Sequence, residues 1–407
     1  MATMRIADLG AVITGKTPSS NNPEHFGEGY PFITPTDMSE SRIVHTERRI
    51  SEDGHAKFRN QILPPHSVCF VCIGATIGKI CMTTERSLTN QQINSIVVDA
   101  SRHEPFFVYY LLSTYTEKVK SVASGAATPI VNKTTFENLQ VEAPPLPIQR
   151  KIAAILSAYD DLIENNLRRI KILEEMAQNL YREWFVKFRF PGYEKAKMVN
   201  SPLGQIPEGW EVKRLDQVVV FKNNSTKAGT HLRDRVYLPI EYIPRKSLAI
   251  GEAKSWEEAQ SSLHLFDAGD ILFGAMRPYF HKVVVAPFNG VTRKTCFVFK
   301  SALPEYHAFA ALTLFQDSTV SFANAHSKGA TIPYAVWAHS MDGMPILVPS
   351  IDLVKKFEDA VGPMISRIGT MYFQNATLRR TRDLLLPKLI SGELDVSEMD
   401  IKTIDEA

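Results

Sequence analysis

The chain has 407 residues, too many for one ordinary core and a fit for two domains, or three. Hydrophobic residues at 44% and charged residues at 22% exclude a disordered or collagen-like chain, and a net charge of +2 does not by itself announce a polyanionic partner. No apolar run approaches the roughly 18 residues of a membrane span, so none is expected. The N-terminus, Met1-Ala-Thr-Met-Arg5, shows no apolar stretch of the kind secretory signals carry. Four cysteines (Cys69, Cys72, Cys81 and Cys296) fit a reducing cytoplasm better than a disulfide scaffold.

From the N-terminus, Ser67–Ile73 and Ile93–Val98 read as strands and Pro105–Val119 as a helical pattern. A long helix is predicted from Pro147, well placed in a first turn, to about Phe185. At 1.5 Å per residue it would be roughly 58 Å long. Phe190-Pro-Gly192 and Ser201–Trp210 form a turn-prone linker. Strands follow at Val283–Ala286 and Cys296–Phe299, with a helical pattern over Glu305–Phe315. A second long helix comes last. Gly362-Pro363 should kink it, and Pro387 with Gly392 should end it.

This order is a repeat. Ile152, Tyr159, Asn166, Leu173 and Leu180 recur every seven residues, as do Phe357, Met364, Met371, Leu378 and Leu385, 205 positions later. A second stripe (Leu156, Ile163, Ile170, Ala177, Trp184) answers Val361, Ile368, Asn375, Arg382 and Leu389 at the same offset. Such seams suggest coiled-coil packing, interrupted by Asn166 and Asn375, which can fix register. Outside the helices, Gly125–Pro129 matches Gly329–Pro333, and Ser67–Phe70 matches Asp270–Phe273. Two copies, each a mixed globular part and a long helix, without regular βαβ alternation, predict an α+β fold.

Catalytic motifs are nearly absent. Gly10-Ala-Val-Ile-Thr-Gly15-Lys16-Thr17 satisfies the P-loop pattern, but Pro18 and Pro23 follow where a helix N-terminus should hold the phosphates. Gly74–Lys79 is one residue short of the same pattern. Cys69 and Cys72, three apart in a strand, point to opposite faces and read as buried free thiols. Asp160-Asp161 read as a solvated helix face. No metal site is expected. An NTPase or nuclease built around Gly10–Thr17 and a protein-only repeat scaffold remain as alternative readings.

The loops offer hydrogen-bonding chemistry instead. Asn and Gln amides suit adenine, and Arg suits guanine, in the major groove. Candidates in the first copy are Lys16, Thr17, Ser19, Ser20, Asn21, Thr34, Thr36, Lys79, Asn90, Gln91 and Gln92. In the second they are Lys222, Asn223, Asn224, Lys227, Arg277, Lys282, Arg293 and Lys294. Lys213–Lys254 holds nine basic and four acidic residues, the strongest local positive excess.

Pro144-Pro-Leu-Pro-Ile-Gln149 with Ile152, Trp184–Gly192, Ser201–Trp210 and Leu384–Leu394 resemble the helix entry, central region and C-terminal end of Type I restriction–modification specificity subunits. Gly74–Lys79 and Asn90–Asn94 resemble elements of that family's target-recognition domains. The second copy departs from the pattern: Val348–Asp352 is a degraded helix entry, and the Gly-Lys element has no clear counterpart. The resemblance implies target-recognition domain 1 at residues 1–146 and a central helix and linker at 147–200. It places target-recognition domain 2 at 201–348 and a C-terminal helix and tail at 349–407. It further implies a pseudo-twofold pair of recognition domains separated by long antiparallel coiled-coil helices. On this reading the chain is a non-catalytic, cytoplasmic subunit for host defence. Its partners are double-stranded DNA, two modification (methyltransferase) subunits and restriction (translocase/nuclease) subunits. S-adenosylmethionine, ATP and Mg belong to those partners, and this chain carries no cofactor.

Overall fold

The computed structural model describes residues 1–38, 42–43, 45–123 and 129–403. The chain forms two compact units. Unit 1 comprises Met1–Glu164 with Thr377–Ala407, and unit 2 comprises Asn165–Ala376. The boundary cuts across both long helices, so each unit holds one globular domain and part of each helix.

In unit 1 a four-stranded antiparallel sheet runs in the order Gly10–Thr14, Ile93–Val98, Val68–Val71, Ile80–Met82. Strand alternation sends Val68 and Phe70 toward the helix Pro105–Ser113, and Cys69 and Val71 toward Ile33, Met38 and Leu63. Both faces are covered, which is why Val68-Cys-Phe-Val71 is apolar at every position. Cys69 and Cys72 are buried free thiols in different core clusters, on opposite faces as expected. A small second sheet pairs Phe26–Ile33 antiparallel with Arg49–Ile50 and parallel with Leu88–Thr89. Ala2–Arg5 pairs with Gln140–Ala143, just before the first long helix.

Unit 2 repeats this plan. Its four-stranded sheet has the matching order Val219–Phe221, Cys296–Ser301, Ile271–Gly274, Val283–Val285. Glu211–Arg214 pairs with Pro345–Val348, as the ribbon of unit 1 does. The smaller sheet again has a parallel step, Val236–Tyr237 beside Gly290–Arg293. Here it has five strands rather than three, because Ser225–Lys227 and Ser262–Phe266 extend one edge. Two like α+β domains confirm the duplication. Residues 125–128 of the Gly125–Pro129 match lie outside the described residues.

The first long helix is Leu146–Tyr181, closed by a π-turn at Arg182–Val186. The second, Ile351–Ser391, carries Gly362-Pro363 and Pro387 in its interior and ends before Gly392, whose φ is +76°. Proline forfeits one backbone bond, but Val361 and Ile365 on either side of Pro363 are buried in the unit 2 core. Tertiary packing therefore carries the helix past a residue that would weaken it in isolation.

The heptad stripe is the packed face. Leu156, Ile163, Ile170 and Ala177 are buried, as are Val361, Ile368, Asn375 and Leu389. Within each unit the two helices run antiparallel. In unit 2 Phe185 meets Phe357, Ile170 meets Ile368 and Met371, and the Asn166 amide donates to Asn375 Oδ1 at 2.9 Å. The two polar interruptions of the seam satisfy each other. In unit 1 Leu156 shares a core with Leu389, and Arg382 donates to Asp160 at 2.5 Å.

Asp160 corrects a sequence expectation. It is only 5% exposed, and the Tyr110 hydroxyl also donates to it, at 2.5 Å. Burial and the adjacent carboxylate push the Tyr110 phenol far up. Asp161, the next residue, is exposed and pairs with Arg42. In unit 2 Glu174 holds a comparable place. Its Oε1 accepts from the backbone of Leu248 and Ala249 and from the Ser247 hydroxyl, all within 2.8 Å. Each domain thus makes hydrogen bonds to a covered carboxylate of the first long helix, Asp160 in unit 1 and Glu174 in unit 2.

The Pro/Gly linker also proves to be built structure. Met198–Ser201 and Gly204–Pro207 form a hairpin, and Trp210 packs against Phe185, Phe188 and Phe190.

Candidate nucleic-acid interface

The strand order gathers the candidate loops. In unit 1 the end of Gly10–Thr14, the start of Ile93–Val98, the end of Val68–Val71 and the start of Ile80–Met82 lie at one end of an antiparallel sheet. Residues 15–22, 72–79 and 90–92 therefore meet there. Lys16 N donates to Thr89 O at 2.8 Å, and the Thr17 hydroxyl to Gln91 Oε1 at 2.5 Å. Gly15 permits this approach, since a Cβ would stand 2.2 Å from Asn90 O.

The same geometry removes the P-loop. After Thr14 the chain is irregular through Ser19, turns, and forms only the three-residue 3-10 turn Pro23–His25. There is no helix N-terminus to hold phosphates.

Side chains sort into available and engaged groups. Lys16, Thr17, Ser19, Ser20, Asn21, Thr36 and Gln91 are exposed, although the Thr17 hydroxyl is bonded to Gln91 Oε1 and the Thr36 hydroxyl to that of Thr34. Asn90 is buried and donates to Gln92 Oε1 at 2.9 Å, and the Thr34 hydroxyl is spent on Asp37 at 2.6 Å. Lys79 is a correction. Its ammonium donates to the carbonyls of Pro35 (2.9 Å) and Met38 (2.7 Å), pinning the 34–38 turn to the sheet end instead of reaching outward. Its removal is expected to loosen that turn, not to lower a salt slope.

Unit 2 places residues 222–224, 275–282 and 294–295 at the matching sheet end. Asn223, Asn224, Lys227 and Lys294 are exposed. Lys222 is engaged with Asp267 (2.8 Å) and Asp270 (2.5 Å). Burial opposes its charge, yet these carboxylates hold it above the ordinary lysine range. Lys282 donates to Ile240 O at 2.6 Å, and burial draws its ammonium down. Arg293 interacts with the Tyr237 phenol.

Lys282 is the structural counterpart of Lys79, so the Gly-Lys element does have an equivalent in the second copy. Gly74 N donates to Pro129 O at 3.0 Å and Arg277 N to Pro333 O at 2.8 Å. Cys72 N donates to Gln92 O at 2.8 Å and Ala275 N to Thr295 O at 2.9 Å. Gly74 and Gly78, with φ of +88° and +98°, are answered by Arg277 and His281 at +52° and +51°. Replacement of both glycines hid the match. Sequence reasoning also missed Arg245, whose guanidinium stacks 3.9 Å from the Phe280 ring, and the half-exposed Tyr279. Alignment at the 203-residue offset of Ser67 and Asp270 would have found the loop that holds Tyr279 and Phe280.

Hydrogen-bonding loops gathered at one end of the same sheet, in each of two like domains, define a duplicated recognition protein. Among the described residues no cluster of His, Cys, Asp or Glu could hold a metal ion, and no helix is long and apolar enough to cross a membrane.

Residues 1–175 match the family model of the Type I restriction modification DNA specificity domain. The Type I restriction enzyme MjaIX specificity subunit of Methanocaldococcus jannaschii is 29% identical over 97% of this chain and 94% of its own length. The HindI specificity subunit of Haemophilus influenzae is 34% identical over 42% of this chain and 38% of its own. The crystal structure of the Type-I restriction-modification system S subunit from M. genitalium has the same fold. Its TM-score is 0.60, with 14% identity over 95% of each chain. The chain thus matches the Type I specificity-domain model over residues 1–175 and is similar to a Type I specificity subunit over nearly its whole length.

Proposed function

We propose that this subunit reads a split, asymmetric DNA site, one recognition domain per half-site, and docks two modification subunits through its long helices. Catalysis then resides in the partners: methylation with S-adenosylmethionine in the modification subunits, and ATP- and Mg-dependent translocation and cleavage in restriction subunits. The observation that carries the reading is the shared strand order. In domain 1 it brings amide- and hydroxyl-bearing loops to one sheet end, and in domain 2 it brings loops with Asn223, Asn224 and the Arg277 guanidinium to the matching end. Phosphate contacts position a protein on DNA and base-edge contacts specify the sequence, so the exposed amides are the groups of interest.

Half-site independence tests this. Gln91→Ala in the assembled methyltransferase is expected to lower discrimination at one base pair by about 1–3 kcal/mol, the usual worth of a good bidentate contact. The effect should fall in one half-site only, read by sequencing methylated genomic DNA. A change in both half-sites would contradict one domain per half.

ATP binding gives a second test. Because no helix follows Thr17, the purified chain is expected to show no heat of ATP binding in titration calorimetry. Tight binding abolished by Lys16→Ala would restore the nucleotide-binding alternative.

A further inference from the structure

The two domains differ at two positions of loops that share several backbone hydrogen bonds. In domain 1 the loop from Val71 to Ile80 turns on Gly74 and Gly78. In domain 2 it turns on Arg277 and His281, both in the left-handed region that disfavours residues with a Cβ. Glycine would be the relaxed choice at either position, so each side chain is retained against a backbone cost.

For His281 the compensation is internal. Its ring is buried, Nε2 bonds to Phe315 O at 2.8 Å, and Nδ1 lies 3.2 Å from Asp317. Arg277 has no such return. Its Nε is covered and unpartnered, and among the described residues no carboxylate lies within ion-pair distance of it. Its guanidinium lies 6.0 Å from the Phe280 ring, whose other close cation is Arg245. Neither cation neutralises the other. A guanidinium held by a strained backbone at the loop-bearing sheet end, without an internal acceptor, is preorganised for an external one.

Domain 1 fills this place differently. There the side chain beside Gly74 is Gln92, whose Nε2 stands 3.7 Å from the position a Cβ on Gly74 would take. The residue matching Gln92 in domain 2 is Thr295, which is too short to serve. The polar group at this point therefore comes from one loop in domain 1 and from the facing loop in domain 2.

We propose that Arg277 is a specificity-determining residue of domain 2, reading a guanine in its half-site through its two terminal nitrogens to N7 and O6 in the major groove. Two parallel bonds to one base edge are the commonest arginine readout and demand a guanidinium of fixed orientation. The left-handed backbone and the covered Nε supply that orientation. The proposal rests on the DNA-reading function stated above.

The test uses the full subunit assembled with its modification subunits, in competition binding against oligonucleotides that vary each base pair of both half-sites. Arg277→Gly is expected to keep or raise the Tm, because glycine suits the left-handed backbone. Discrimination at one G·C pair of one half-site should fall roughly 10- to 100-fold, with the other half-site untouched. Arg277→Asn, also tolerated in this conformation, should show the same loss, and Arg277→Lys should not restore it. Equal weakening for every sequence, with a flatter salt dependence and rescue by lysine, would make Arg277 a phosphate contact and overturn the proposal while leaving DNA reading intact. Unchanged discrimination would overturn it too. A wild-type complex that fails to discriminate among sequences would instead remove the DNA-reading function, and the proposal with it.

Discussion

Lengthening both long helices by one heptad is expected to move methylation to sites whose half-sites lie about three base pairs further apart. The insertions belong in matched layers near the Asn166–Asn375 pair, one in each helix, so that the seven-residue seam stays in phase. Seven residues add roughly 10 Å of helix. At about 3.4 Å per base pair along one strand that is roughly three pairs. The added pairs also rotate one half-site relative to the other, by about a third of the 10-base-pair turn. The variant is therefore expected to methylate more slowly than the parent. Sequencing methylated DNA reads the outcome directly. An active variant that still recognised the original spacing would show that the helices are a docking platform and do not set the distance. A single insertion, in one helix alone, is expected to abolish activity, because it slides Ile170, Ile368 and Met371 out of contact.

Asp160→Ala is expected to destabilise unit 1 strongly. The carboxylate is covered and accepts from both Arg382 and Tyr110. Removing it leaves a guanidinium that is only 19% exposed without its main partner, although Asp383 remains 2.8 Å from that side chain. Breaking one side of a buried pair costs about 3–5 kcal/mol. That is a large share of the roughly 5–15 kcal/mol that holds an ordinary domain. For a unit of this size it corresponds to a Tm lower by about 10 °C. Scanning calorimetry should show the loss, while Glu117→Ala, whose carboxylate is exposed and pairs with Lys120 on its own helix, should scarcely move the transition. Asp160→Leu combined with Arg382→Leu should recover much of the stability, because it strands no charge. Failure of the single change to lower the Tm would mean that the pair contributes nothing net. The consequence reaches function, since Tyr110 belongs to the recognition domain and Asp160 to the first long helix.

The duplicated architecture was legible in the chain. The seven-residue stripes, their constant offset and the apolar strand cores follow from local periodicity, and periodicity survives folding because it records which face is covered. The long helix predicted from Pro147, the strand at Ile93–Val98, the opposite facing of Cys69 and Cys72, and the loss of the P-loop after Pro18 all belong to this class. Each depends on backbone geometry within a few residues. The family resemblance, carried by the central and C-terminal segments, rests on the same local strings.

Tertiary structure alone decided which polar groups are spent and which remain available. Nothing near Lys79 in the chain shows that its ammonium is consumed by Pro35 and Met38, or that Asp267 and Asp270 neutralise Lys222. Asp160 and Asp161 are adjacent acidic residues, yet one is buried between Tyr110 and Arg382 and the other is exposed. Proline at 363 is tolerated because Val361 and Ile365 are packed, not because of its helix propensity. The equivalence of Gly74 with Arg277 became visible only through the carbonyls of Pro129 and Pro333 that receive their amides. The physical reason is common to all of these. A hydrogen bond or ion pair between residues far apart in sequence is set by distances of about 3 Å, which the packed fold determines and local pattern does not encode.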